Sequence, residues 1–149
     1  MIIYIGADHR GFEKKKDLIK FLVASNIPVE DVGAFEYKET DDFNDPAIKV
    51  SQKVRKDHNA MGILICGSAN GVAIQANRFK GIRAITASNN ESVELGRAHT
   101  DANVLCLSAE FLSVEYMQHL IKTFLTTEFA NEVRYIRRNN RLDEEVIDA

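Results

Sequence analysis

Chemistry in this chain is best sought at Cys66, a thiol that closes the apolar run Met61 to Cys66 and is followed by Gly67, Ser68, Ala69, Asn70 and Gly71. A small-residue turn that opens onto a helix presents successive backbone N–H groups, which favour negative charge on a sulfur or on a bound oxyanion. The pattern predicts a depressed thiol pKa and makes Cys66 a candidate base. The same residues also suit a small apolar residue ending a strand before a turn, and local grounds leave both readings open. Cys106 has no such loop beside it and reads as core.

Two further segments carry reactive side chains. Asp8 and His9, in Gly6-Ala7-Asp8-His9-Arg10-Gly11, could orient a hydroxyl and meet an anion, or be a helix cap and a surface imidazole. His99, between Arg97 and Asp101, could shuttle a proton, or be a histidine favoured by a helix C-terminus. Near the end of the chain Arg134 and Arg138 are four residues apart, so on a helix they share a face that could grip a phosphate or simply be a solvated basic face beside Asp143, Glu144 and Glu145. The glycine loop fits neither a Walker phosphate loop nor a dinucleotide fingerprint, and His9, His58, His99 and His119 show no paired spacing for a metal.

The elements that must hold these residues follow from periodicity. Short continuous apolar runs at Met1–Ile5, Met61–Cys66, Ile82–Ala87 and Val104–Leu107, with a weaker one at Pro28–Val32, read as strands buried on both faces. Helical patterns alternate with them at Phe12–Ala24, Ala47–Lys56, Val72–Phe79, Glu91–Ala98 and Val114–Leu125. Such alternation predicts a Rossmann-like three-layer α/β sandwich with about five parallel strands, helices on both faces and a C-terminal helical tail. The 149 residues are expected to form one domain, with 127–149 as an extension that leaves the main body to pack on a partner subunit. In open α/β sheets ligands bind at the carboxyl ends of the strands, and the Asp8, Cys66 and His99 segments are all expected there.

Composition narrows the function class. With 45% hydrophobic and 28% charged residues the chain is globular, and its net charge of −3 argues against nucleic acid as the main partner. Met1 leads straight into an apolar run with no basic leader and no long apolar stretch, so a cytoplasmic location and no membrane partner are expected. Two cysteines, each within an apolar run, argue against a disulfide framework.

Taken together, the loops resemble the type B ribose-5-phosphate isomerases and the related galactose-6-phosphate isomerases, from Met1 to about Arg138. The resemblance is carried by Gly6-Ala7-Asp8-His9-Arg10-Gly11-Phe12, by Gly62-Ile63-Leu64-Ile65-Cys66-Gly67-Ser68 with Ala76-Asn77 and Gly81-Ile82-Arg83-Ala84, and by His99-Thr100-Asp101-Ala102-Asn103-Val104-Leu105. It implies a cofactor-free and metal-free aldose–ketose isomerisation through a cis-enediolate. On it, Cys66 carries the proton between C2 and C1, Ser68 and the amides of Gly67, Ser68, Ala69, Asn70 and Gly71 stabilise the enediolate, and His99 with Asp8 nearby opens the furanose ring. Substrate contacts fall to Asp8, His9, Thr100, Arg134 and Arg138, with the phosphate held by His9 and the two arginines. Homodimers or homotetramers with sites between subunits are implied as well.

This chain departs from the family pattern at several places. Asp42-Phe43-Asn44 stands where Asp-Tyr-Pro is usual, Glu110 where an Arg is frequent, Thr100 where an Asn is common, and Glu132-Val133-Arg134-Tyr135 where the tail usually reads Gly-Gly-Arg-His. Some relatives use a Glu just after the glycine loop; Val72 occupies that place, which leaves Cys66 as the base. Beside ribose 5-phosphate, the alternatives are another pentose or hexose 6-phosphate, of the galactose or allose type, and a non-catalytic sugar-phosphate-binding module.

Overall fold

The computed structural model describes residues 1–144. In chain order its elements are β1 (Ile2–Ala7), α1 (Phe12–Ala24), β2 (Val29–Asp31), α2 (Asn44–Lys56), β3 (Ala60–Cys66), α3 (Asn70–Ala76), β4 (Ala84–Thr86), α4 (Asn90–Thr100), β5 (Val104–Ser108), α5 (Val114–Thr126) and α6 (Val133–Asn140), followed by a 3-10 turn at Arg141–Asp143. The five strands form one parallel sheet in the order β2-β1-β3-β5-β4. The predicted three-layer α/β sandwich is therefore the observed one.

Both faces of the sheet are apolar, because alternate residues of each long strand point to opposite sides. Ile3, Ile5, Ile63, Ile65, Leu105 and Leu107 form one core with Leu18 and Leu22 of α1, Val93 of α4 and Met117, Ile121 and Phe124 of α5. Leu64, Cys66, Val104 and Cys106 form the other, with Val50 and Val54 of α2 and Val72 and Ala76 of α3. Exposing either face would cost about 25 cal/mol for every Å² of apolar surface, so helices must cover both. The strand order reverses between β1 and β3, and that is where open α/β sheets form a crevice at their carboxyl edge.

Some boundaries differ from the periodicity, for local reasons. α2 begins at Asn44, because Pro46 is tolerated in a first helical turn, where its missing N–H has no partner to lose. α3 starts at Asn70 and stops at Ala76, short of Phe79. The Asn77 side chain ends it by donating to the Ala84 carbonyl (2.9 Å) and accepting from the Ala84 amide (2.8 Å), which turns the chain into β4.

The tail is helical as expected, and residues 127–144 also make contacts with their own chain. Ala130 N donates to the Ala98 carbonyl (2.9 Å), Tyr135 is 7% exposed, and Gly81 N donates to both Asp143 carboxylate oxygens (2.9 and 3.1 Å). Its outer face still presents Val133, Ile136 and Leu142 to solvent. Glu145 lies outside the described residues. Among the described residues no helix is long and apolar enough to cross a membrane, and no group of three or more His, Cys, Asp or Glu could hold a metal ion.

One buried charge ties the loop after β2 to α1. Lys15 is 1% exposed and donates to Asp31 Oδ1 (2.7 Å) and to the Ala34 carbonyl (2.5 Å). Lys15→Met keeps the apolar stem but takes the ammonium from both acceptors, leaving Asp31 Oδ1 only the Gly33 amide (2.9 Å). We expect a loss of about 2–3 kcal/mol of unfolding free energy in urea titration, since a broken buried pair costs more than the intact pair contributes.

Candidate active site

Ala7 of β1 lies opposite Ile65 of β3, so the next residues, Asp8 and Cys66, leave the sheet side by side. Gly11 makes this closeness possible: a Cβ there would come within 2.6 Å of the Ile65 side chain, and only glycine lets the turn after β1 lie directly on β3. Asp8, 4% exposed, accepts from the amides of Arg10 (2.9 Å) and Gly11 (3.3 Å), which fixes its carboxylate at the head of α1. Asp8 thus folds the turn ahead of α1 and does not cap the helix, whose N-cap is Gly11 with no side-chain hydrogen bond.

Cys66 is 8% exposed and faces the α2/α3 side of the sheet beside Ala69 and Val72. Burial pushes its thiol up from the ordinary range, and the charge and hydrogen bond of Asp8 push in the same direction, while the backbone amides of Ala69 and Gly67 pull it down. The net shift is upward, which corrects the depressed pKa expected from the loop. Burial disfavours the charged sulfur, and the charge acting on it is the Asp8 anion; the two amides do not offset these. Cys106 is fully buried, and burial drives its thiol far upward, as befits a core residue.

The glycine loop is held from two sides. Ser108 of β5 stands opposite Cys66; its hydroxyl donates to the Gly67 carbonyl (2.6 Å) and accepts from Phe111 N (3.1 Å). The amides of Ala109 and Glu110 donate to the carbonyls of Cys66 (2.9 Å) and Gly67 (3.1 Å). Ala69 takes a left-handed conformation, φ 68°, where the loop enters α3, and exposed Ser68 accepts from Asn70 N (3.4 Å). From the other side Phe43 lies over Gly71, where a Cβ would stand 2.9 Å from three ring atoms. Gly71→Ala is expected to cost about 1 kcal/mol in thermal unfolding by displacing that ring, and Phe43→Leu to relieve most of the loss.

His9 is at this same edge. Its Nδ1 lies 2.7 Å from Asp41 Oδ1, and its backbone amide donates to the same oxygen (3.1 Å). Asp41 also lines a neighbouring cavity of about 370 Å³ with Lys38, Asp42 and Lys49. Sequence reading missed Asp41, because it follows His9 by 32 residues in an irregular segment and no periodicity links the two. Arg10 was missed as well. Its side chain lies against Gly67 and its Nη2 is 3.5 Å from Glu110 Oε2, so the carboxylate that replaces a usual arginine is met by an arginine from the first loop. At 55% and 52% exposure the pair contributes orientation more than stability.

The remaining predicted residues lie elsewhere. Val104, where β5 starts, is opposite Gly62, four residues before Cys66, or about 13 Å of strand. His99 and Thr100 end α4 ahead of β5 and so sit at the amino edge of the sheet, opposite the edge that carries Asp8 and Cys66. The expectation of one shared edge, with Asp8 near His99, is thus corrected for a single chain. The cause is topological: a segment before a strand in a parallel sheet opens at the edge opposite to a segment after one.

This second group is also well built. Asp101, in the left-handed C-cap position of α4, pairs with Arg97 (2.8 Å) and Arg83 (3.1 Å), and buried Arg97 also donates to the carbonyls of Ala102 (2.6 Å) and Thr127 (3.3 Å). The Thr100 hydroxyl donates to the Gly96 carbonyl (2.6 Å). His99 stacks on Tyr135 of α6, with ring centroids 4.4 Å apart and planes 22° from parallel. Arg134 pairs with Glu132 (2.9 Å) and donates to the Tyr135 hydroxyl (2.9 Å), and Arg138 is exposed one turn further along α6.

A model of the family described as Ribose/Galactose Isomerase matches residues 3–143. The chain belongs to this isomerase family. Among curated relatives, the protein of Mycoplasma pneumoniae named "Probable ribose-5-phosphate isomerase B" is 40% identical over 127 residues, covering 85% of this chain and 84% of the relative. The D-erythrulose-4-phosphate isomerase 2 of Mycolicibacterium smegmatis is 38% identical over 129 residues, covering 85% of each. The solved structure of ribose-5-phosphate isomerase B from Mycoplasma genitalium with bound ribulose-5-phosphate superposes with a TM-score of 0.91 at 34% identity, covering 95% of this chain and 93% of that one. The family's isomerase activity makes this chain an enzyme, and its substrate a sugar phosphate.

Proposed function

We propose that this isomerase interconverts ribose 5-phosphate and ribulose 5-phosphate in sites completed by a second copy of the chain. The observation that carries the reading is the adjacency of Asp8, Cys66 and the glycine loop at the carboxyl edges of β1 and β3. A thiolate there takes the C2 proton of the open-chain aldose and, after exchange with solvent, the thiol delivers a proton to C1; the O2 proton passes to O1, and O1 and O2 of the cis-enediolate meet backbone amides of Gly67 to Gly71 and Ser68. The raised thiol pKa gives a scarcer but more basic thiolate, and the amides of Gly67 and Ala69 hold its charge.

His99, Thr100, Arg134 and Arg138 lie at the other edge of their own chain, so they reach this thiol only from a partner subunit. In the assembled site His99 of the partner subunit opens the furanose ring. His9 of one subunit and the arginines of α6 from the other grip the phosphate, which suits the exposed guanidinium of Arg138 and the exposed outer face of α6. An isologous dimer supplies two such sites.

The test is turnover in deuterated water. Ribose 5-phosphate is expected to give ribulose 5-phosphate with solvent deuterium at C1, faster than allose or galactose 6-phosphate reacts and faster than D-erythrulose 4-phosphate is converted. A higher kcat/KM for one of those other sugars would move the assignment to it. Tight binding without exchange at C1 or C2 would leave only the binding module.

A further inference from the structure

We infer that Tyr135 is the positioning residue for His99, holding the imidazole by its face so that the ring-opening step, and not the C1/C2 proton transfer, depends on it. The inference rests on the functional reading above. His9 and His99 are oriented in different ways. A carboxylate, Asp41, fixes His9 through Nδ1 at 2.7 Å. Among the described residues no side chain hydrogen-bonds a ring nitrogen of His99; what it meets is the Tyr135 ring, 4.4 Å away and 22° from parallel.

Tyr135 can serve as a fixed plate because it is itself immobilised. It is 7% exposed, its amide donates to the Glu132 carbonyl (2.9 Å), and its hydroxyl accepts from Arg134 (2.9 Å), whose guanidinium carbon also lies 4.6 Å from the ring centroid. The backbone under His99 is equally firm. Ala98 accepts from Ala130, and Arg97 is bonded to Asp101, Ala102 and Thr127. Face-on contact stops the imidazole from turning about its last torsion, yet leaves both nitrogens at the ring rim for a ligand.

Ring opening needs that freedom at the rim. The C1–O4 bond of the furanose breaks, the O1 hydroxyl gives up its proton, O4 takes one, and the aldehyde forms at C1, with no net change in protons. An imidazole that relays a proton between these oxygens must be held within a narrow range of angle. The later proton transfer from C2 to C1 takes place at Cys66 and does not call on the ring.

Tyr135→Leu and Tyr135→Phe, made in the full chain and checked for native circular dichroism, test the assignment. Tyr135→Leu is expected to lower kcat for ribose 5-phosphate about tenfold to a hundredfold. Exchange of the C1 proton of ribulose 5-phosphate with deuterated water, which starts from an open-chain ketose, should stay within about twofold of wild type, the ordinary reach of a neutral substitution. Tyr135→Phe retains the ring face and should retain turnover. In a His99→Ala background Tyr135→Leu should add no further loss, because the two act as one unit. Equal loss of turnover and exchange in Tyr135→Leu, loss of turnover in Tyr135→Phe, or full additivity with His99→Ala would each overturn the inference. Failure of the wild type to convert ribose 5-phosphate would instead be failure of the functional reading.

Discussion

Cys66→Ala is expected to lower kcat/KM for ribose 5-phosphate by about 10²–10⁴-fold, the range a positioned general base supplies, with little change in thermal unfolding. Little packing is lost, because the thiol is small and finishes a strand whose Ile63, Leu64 and Ile65 are fully buried without it. The pH dependence carries the finer prediction. Activity follows the thiolate fraction, and burial together with Asp8 places that ionisation above the free-thiol value of about 8.5. The ascending limb of kcat/KM therefore lies on the alkaline side of that value, and each unit of pH below it costs about tenfold. Asp8→Asn removes the like charge beside the sulfur, so the same limb moves to lower pH. A limb centred well below the free-thiol value, or unmoved in Cys66→Ser, would assign the base elsewhere.

Mixing two inactive proteins should restore activity. In the proposed dimer, whose sites take the thiol from one subunit and the imidazole from the other, Cys66→Ala and His99→Ala each disable both sites. After dissociation and reassociation in equal amounts, half of the dimers are mixed, and each mixed dimer holds one site with both groups intact. Recovery of about a quarter of wild-type activity is expected from that statistical assortment. No recovery would mean that Cys66 and His99 do not serve a common site from different subunits. The prediction follows from the sheet: about 13 Å of strand separates Cys66 from the register level where β5 begins, and His99 precedes that point.

The remaining departures from the family pattern bear on the sugar more than on the proton transfer. Phe43 takes the tyrosine position without its hydroxyl and packs over Gly71, and Glu110 turns to Arg10. Both lie around the glycine loop. Both leave Asp8, Cys66 and the amides of Gly67 and Ala69 in place.

The sequence by itself determined the element order, the parallel sheet and the two apolar faces, because burial on both sides writes continuous apolar runs such as Ile63-Leu64-Ile65 into the strands. It also marked Asp8, Cys66, Ser68 and His99 as the groups to watch. The tertiary structure decided where each of them sits. A thiol's pKa is a sum over its surroundings in space, and the charge that matters to Cys66 comes from Asp8, 58 positions away in the sequence. Which edge His99 occupies depends on its preceding a strand, a matter of connection and direction that side-chain types do not record. The partners Asp41 of His9, Glu110 of Arg10 and Tyr135 of His99 were likewise hidden, since each pair is brought together only when distant loops or helices fold onto one edge of the sheet.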